Sequence, residues 1–176
     1  GGTGGMGKGF ALRFCKKHQV IIGSRDAERA KTAANEYSGL AKDAYGNING
    51  TITGKDNLSV ANESEVLILS IPYENIDTTC SELLPKINDD CIVISPIVPM
   101  TKTDVGFECI PIKENKLFSH QTIEKHMKDK TKLVSAFHVI SEKKLVNPTL
   151  SLDYDIFVVG DDKNSVETVN SLINEI

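Results

Sequence analysis

Short apolar runs alternate with amphipathic stretches along almost the whole chain. Met6, Phe10, Ala11, Phe14 and Cys15 recur at helical spacing, and Arg13, Lys16 and Lys17 are expected on the opposite, polar face. Val20 to Ile22 suits a short buried strand, and Asp26 can cap a helix running towards Leu40. Asn47 to Ile52 suits a weak strand, followed by a short helix over Leu58 to Asn62. Val66 to Ile71 is a strongly apolar strand that stops at Pro72.

The alternation continues with a helix from Ile76 to Leu84 and a strand from Cys91 to Ile94. Pro96 and Pro99 then impose an irregular loop. Lys102 to Lys130 is the least regular stretch, with a helix expected near Thr122 to Lys128. Leu133 to Phe137 and Ile156 to Val159 read as strands. A last helix follows Asp161 and Asp162, with Val166, Val169, Leu172, Ile173 and Ile176 on one stripe. Strands buried on both faces and separated by helices predict one doubly wound, mostly parallel Rossmann-like α/β sheet over residues 1–176, with helices on both faces.

Six of the thirteen glycines fall within the first nine residues. Gly2, Gly4 and Gly7 fit G-x-G-x-x-G, a turn that lets a pyrophosphate approach the backbone at a helix amino end. The pattern calls for a strand immediately before it. The expectation is therefore that the natural polypeptide extends upstream of Gly1 and that the chain folds poorly without that strand. An NAD site usually has an acidic residue at the end of the second strand. Here Gly23-Ser24-Arg25 stands there, with Arg29 one helical turn on. A hydroxyl and a guanidinium suit a 2′-phosphate, so NADP(H) is expected rather than NAD. Asp26 is better placed as a helix cap than as a ribose ligand.

Ser70-Ile71-Pro72-Tyr73 and Ser95-Pro96-Ile97-Val98-Pro99 follow neighbouring strands, where they would wall a nicotinamide ring. His138 falls on the same rim. Asp161 and Asp162 read as a helix cap rather than a metal pair, and no metal site is expected. The cysteines lack zinc-ligand spacing, and Cys15 and Cys91 read as small buried hydrophobes. A formal net charge of −4 argues against a nucleic-acid partner. No apolar run approaches the roughly 20 residues a membrane helix needs.

Taken in order, Gly1-Gly2-Thr3-Gly4 with Gly7-Lys8-Gly9, Gly23-Ser24-Arg25, Ile71-Pro72, Ser95-Pro96-Ile97-Val98-Pro99, Val134-Ser135-Ala136-Phe137-His138 and Gly160-Asp161-Asp162 resemble the NADPH-dependent coenzyme F420 reductases. The resemblance implies reversible hydride transfer between NADP(H) and F420, a deazaflavin co-substrate, by a cytoplasmic enzyme that is a homodimer at full length. By position, Thr3, Gly4, Gly5 and Met6 would bind the pyrophosphate, and Ser24, Arg25 and Arg29 the 2′-phosphate. Ile71, Pro72, Tyr73 and Val98 would flank the nicotinamide, and His138 would lie near the deazaflavin, with no catalytic residue assigned.

The chain departs from the family where Gly5 replaces a frequent Asn, Arg29 a Lys, Tyr73 a Trp and Asn75 a His, and Lys113 to Lys130 looks longer or divergent. The family also continues past this chain with a C-terminal segment that closes over the deazaflavin and helps form the dimer. Two alternatives stay open: a related NADP-dependent reductase with another acceptor, and a non-catalytic NADP(H)-sensing module.

Overall fold

The computed structural model describes residues 1–111 and 118–176. The elements run α1 (Gly5–Phe14), β1 (Gln19–Ser24), α2 (Ala27–Tyr45), β2 (Thr51–Asp56), α3 (Asn57–Glu63), β3 (Val66–Ile68), α4 (Ile76–Leu83) and β4 (Ile92–Ser95). They continue through β5 (Met100–Thr103), β6 (Gly106–Cys109), α5 (Ser119–Glu124), β7 (Leu133–Ser135), α6 (Glu142–Leu145), β8 (Val159–Gly160) and α7 (Lys163–Ile173).

β3, β4, β7 and β8 form one sheet in that order, parallel except for β8. Alternation along these strands divides the core in two. Leu67, Val93 and Leu133 pack with Val60, Ile76, Cys80, Leu83 and Ile123 beneath α3, α4 and α5. Ile94 and Val134 pack with Phe10, Phe14, Phe137, Leu145 and Val169 beneath α1, α6 and α7. Helices on both faces of a mostly parallel sheet make the expected doubly wound architecture.

β1 pairs in parallel with β2 and, among the described residues, with no other strand. Between β1 and β3 lies a slot of about 620 Å³, lined by Gln19 to Gly23 on one side and Glu65 to Ile71 on the other. Phe10, Phe14 and Leu172 cover one face of the slot, and Val60 and Leu83 the other. Two free strand edges facing an apolar trough are the surroundings of a buried parallel strand.

Several expected boundaries move. β2 begins at Thr51 rather than Asn47, because α2 runs on to Tyr45 and residues 46–50 make the turn. Only Ile52 of β2 is fully buried; pairing with β1 and cover from α2 make its polar residues a strand. β7 is shorter than expected because Phe137 has φ 68°, which turns the chain out of extended geometry. β8 starts at Val159, and α5 starts at Ser119 rather than Thr122. Met100 to Cys109, expected to be mostly irregular, is an antiparallel hairpin. Within the divergent stretch Lys113 to Lys130, residues 113–117 lie outside the described residues.

The largest correction is Arg13, which is 5% exposed rather than on a polar face. Its Nε donates to Leu145 O at 3.0 Å, and its Nη2 donates to Lys144 O, Asn147 O and Leu150 O at 3.3, 2.7 and 2.8 Å. A buried guanidinium is tolerated where its donors find acceptors, and here they are backbone carbonyls. Cys15 and Cys91 are buried as expected, and so is Cys80. Burial pushes the Cys80 thiol up to about 12 and that of Cys91 up to about 11, which keeps both protonated.

Candidate functional site

The glycine turn is built by close approaches. Gly2 N donates to Gly23 O at 3.2 Å, tying the turn to the end of β1, and Gly4 N donates to Gly1 O at 3.0 Å. A Cβ on Gly7 would stand 2.6 Å from Gly2 Cα and 2.7 Å from Gly1 O, so only glycine lets α1 begin this close to the turn. Gly4 is the N-cap of α1; no side chain caps this end, and its first turn holds no acid. The free N–H groups of that turn, with the positive end of the helix dipole, suit an anion.

Beside them, Ser24 ends β1 and its Oγ accepts from Asp26 N at 3.2 Å, leaving the hydroxyl proton available to a ligand. Asp26 caps α2, accepting from Glu28 N and Arg29 N. Arg25 and Arg29 are exposed and form no ion pair among the described residues. Both follow the end of β1, which the Gly2–Gly23 hydrogen bond holds beside the glycine turn. The sequence-predicted phosphate residues Thr3, Gly4, Gly5, Met6, Ser24, Arg25 and Arg29 thus belong to one corner of the molecule. Open helix donors, a hydroxyl and two unpartnered guanidinium groups fit a dinucleotide with an extra ribose phosphate.

Ile71 and Tyr73 pack against the core cluster that contains Ile97. Pro72 starts a single 3₁₀ turn over Tyr73–Asn75, which leads directly into α4. Val98 is half-buried, and its carbonyl accepts from Met100 N at 2.8 Å. The two loops after β3 and β4 are therefore stiff and largely apolar, a surface suited to one face of a planar ring.

His138 lies at the rim beyond β7. Solvent reaches it, yet the protein crowding it and the nearby His120 charge hold its pKa below the ordinary histidine value. His120 Nδ1 and Ser135 Oγ share a hydrogen bond of 2.8 Å, and Ser135 sits beside Ser95 in the β4–β7 register. The hydroxyls of Ser95 and Ser119 are buried without a partner among the described residues. Phe137, fully buried, adopts φ 68° just before His138. A non-glycine residue held there costs about 1–3 kcal/mol, a local strain that tends to mark functional segments.

α6 joins this rim to the glycine turn by lying across α1. A Cβ on Gly9 would meet Leu145 Cγ at 2.6 Å, and one on Gly5 would meet Glu142 Oε1 at 2.2 Å. The sequence reading does not mark Glu142 or His120 and puts Arg13 on a polar face, because nothing local shows which distant residues they pack against. Among the described residues no group of His, Cys, Asp and Glu side chains could hold a metal ion. The Asp162 carboxylate instead caps α7 through Ser165 N at 2.8 Å, as its sequence position suggests.

Comparison with known proteins points the same way. Residues 2–99 match the family model described as NADP oxidoreductase coenzyme F420-dependent. The F420-dependent NADP reductase of Methanocaldococcus jannaschii is 34% identical over 176 residues, which is 100% of this chain and 77% of that protein. The protein of the same name from Methanothermobacter thermautotrophicus is 28% identical over 178 residues, covering 100% of this chain and 75% of the relative. In fold, the chain is similar to a candidate F420-dependent NADP reductase from an Arthrobacter species. The TM-score is 0.67 at 16% identity, covering 98% of this chain and 77% of that one.

Proposed function

The chain belongs to the coenzyme F420-dependent NADP oxidoreductase family, and from that premise we propose that it moves a hydride reversibly between NADP(H) and F420. The observation that carries this reading is the uncapped start of α1, tied through Gly2 and Gly23 to the end of β1, where Arg25 and Arg29 have no ion-pair partner among the described residues. No acid stands at the end of β1 except Asp26, which is engaged as a cap. That arrangement favours NADP(H) over NAD(H).

The α1 N–H groups from Gly5 to Gly7 would hold the pyrophosphate, with Thr3 and Gly4 shaping the turn. Ser24 and Arg25 would hold the 2′-phosphate, with Arg29 beside them. The nicotinamide supplies the hydride chemistry when bound. Ile71, Pro72, Tyr73 and Val98 would hold one face of that ring and exclude water, so that hydride transfer would need no protein nucleophile. Reduction of the deazaflavin consumes one hydride and one proton, and oxidation of NADPH supplies the hydride. His138 borders the acceptor side, where its ring nitrogens can hold or release the proton.

This reading includes a cytoplasmic homodimer with small-molecule coenzymes as its ligands and no nucleic-acid partner. The net charge of −4 supports the last point, and no described helix is long and apolar enough to cross a membrane. The test mixes the full-length protein with NADPH and oxidised F420 under anaerobic conditions and follows the deazaflavin absorbance. Bleaching that NADH reproduces only weakly is expected. NADPH binding without bleaching would instead favour another acceptor or a sensing role.

A further inference from the structure

α6 is fastened to α1 along a stripe of residues four apart. Gly5 faces Glu142, Gly9 faces Leu145, and the Arg13 guanidinium takes the carbonyls of Lys144, Leu145, Asn147 and Leu150. The fastening fixes where α6 begins. Its first residue, Glu142, puts its carboxyl group directly over Gly5, where Oε1 and Cδ lie 2.2 and 2.3 Å from the position a Cβ would take.

The first turn of α1 carries no acid of its own, so Glu142 brings a negative charge from another element to the positive end of the helix. The side chain is exposed and has no hydrogen bond or ion pair among the described residues. The neighbouring cations are otherwise disposed: Lys8 pairs with Glu36 at 2.7 Å, and Arg25 and Arg29 follow the end of β1.

We propose that Glu142 is an affinity-determining residue of the coenzyme site, a carboxylate resting on α1 that opposes the pyrophosphate and swings aside when the coenzyme binds. The inference rests on the placement of the pyrophosphate at Gly4 to Gly7. In the free protein the carboxylate favours the helix end, so displacing it weakens coenzyme binding. Binding and release thus become an exchange of one anion for another over the same helix terminus. Glu142 is the exposed first residue of α6, so its side chain can move without disturbing the buried Leu145 and Arg13 anchors.

The experiment is a charge series, Glu142→Gln and Glu142→Lys, in the full-length protein, with NADPH dissociation constants measured by calorimetry at low and high salt. Affinity should rise in the order Glu, Gln, Lys. The first step should be about two- to fivefold, from the usual worth of one charge at a helix end. The gain should shrink at high salt, and Glu142→Gln should lower the melting temperature of the free protein while leaving that of the saturated protein nearly unchanged. A flat series, or the reverse order, overturns the proposal. Wild-type protein that does not bind NADPH would overturn the coenzyme reading instead, so the two failures are told apart.

Discussion

The ring of Phe137 meets that of Phe10 edge-on, with centroids 5.1 Å apart and planes inclined by 65°. Phe10 belongs to the helix that follows the glycine turn, and Phe137 immediately precedes His138. The contact couples the proposed phosphate corner to the proposed acceptor rim through one packed pair. Phe137→Ala removes the ring and leaves an alanine at φ 68°, so a loss of about 3–5 kcal/mol is expected from the cavity alone. Chemical denaturation would read it. A loss under 1 kcal/mol (roughly the worth of one buried methylene) would mean that the site collapses around the gap.

Arg25→Glu is expected to weaken NADPH binding by about ten- to a hundredfold, the worth of a charge-assisted hydrogen bond. NADH binding should change much less, because it lacks the 2′-phosphate. Fluorescence titration with both coenzymes decides the matter. Equal losses would remove Arg25 and Ser24 from the phosphate site.

His138 is harder to protonate in the folded protein than in the unfolded chain, because of crowding and the charge of His120. With the folded pKa depressed, the unfolded state binds more protons between the two pKa values. Its contribution to stability is therefore steady above the unfolded value of about 6.5 and declines as pH falls through it. His120→Gln should raise the His138 pKa, read as an upward shift of its midpoint in an NMR titration. An unmoved midpoint would show that His120 does not act on His138.

We propose that the slot between β1 and β3 takes a parallel strand leading into Gly1. An amino-terminal extension of five or six aliphatic residues should raise the melting temperature, each buried side chain contributing about 1.5–3 kcal/mol. It should also slow hydrogen exchange at the slot-facing amides of β1 and β3. Protection confined to other elements would show that the extension docks elsewhere.

Periodicity and capping made much of this fold legible. α1, α2 and α7 have apolar stripes, and Asp26 and Asp162 stand at their helix starts as N-caps. The β5–β6 hairpin escapes sequence reading because β6 is exposed throughout, with Phe107 at 68% exposure, and so prints no alternating pattern. Arg13 was misplaced because charge was equated with exposure, whereas its partners are carbonyls 131 to 137 residues away. The proposed phosphate residues can be named from the sequence because they are local to the glycine turn and to the β1–α2 turn. Glu142 and His120 were not, since tertiary packing alone brings them to their neighbours.

The same Arg13 clamp sets an order of events during synthesis. The guanidinium leaves the ribosome 137 residues ahead of Leu150, whose carbonyl is one of its partners. Until they emerge, burying α1 would strand an uncompensated charge, which costs several kcal/mol. Helix α1 must therefore wait in water, and the glycine turn cannot be seated finally until residues 144–150 have emerged.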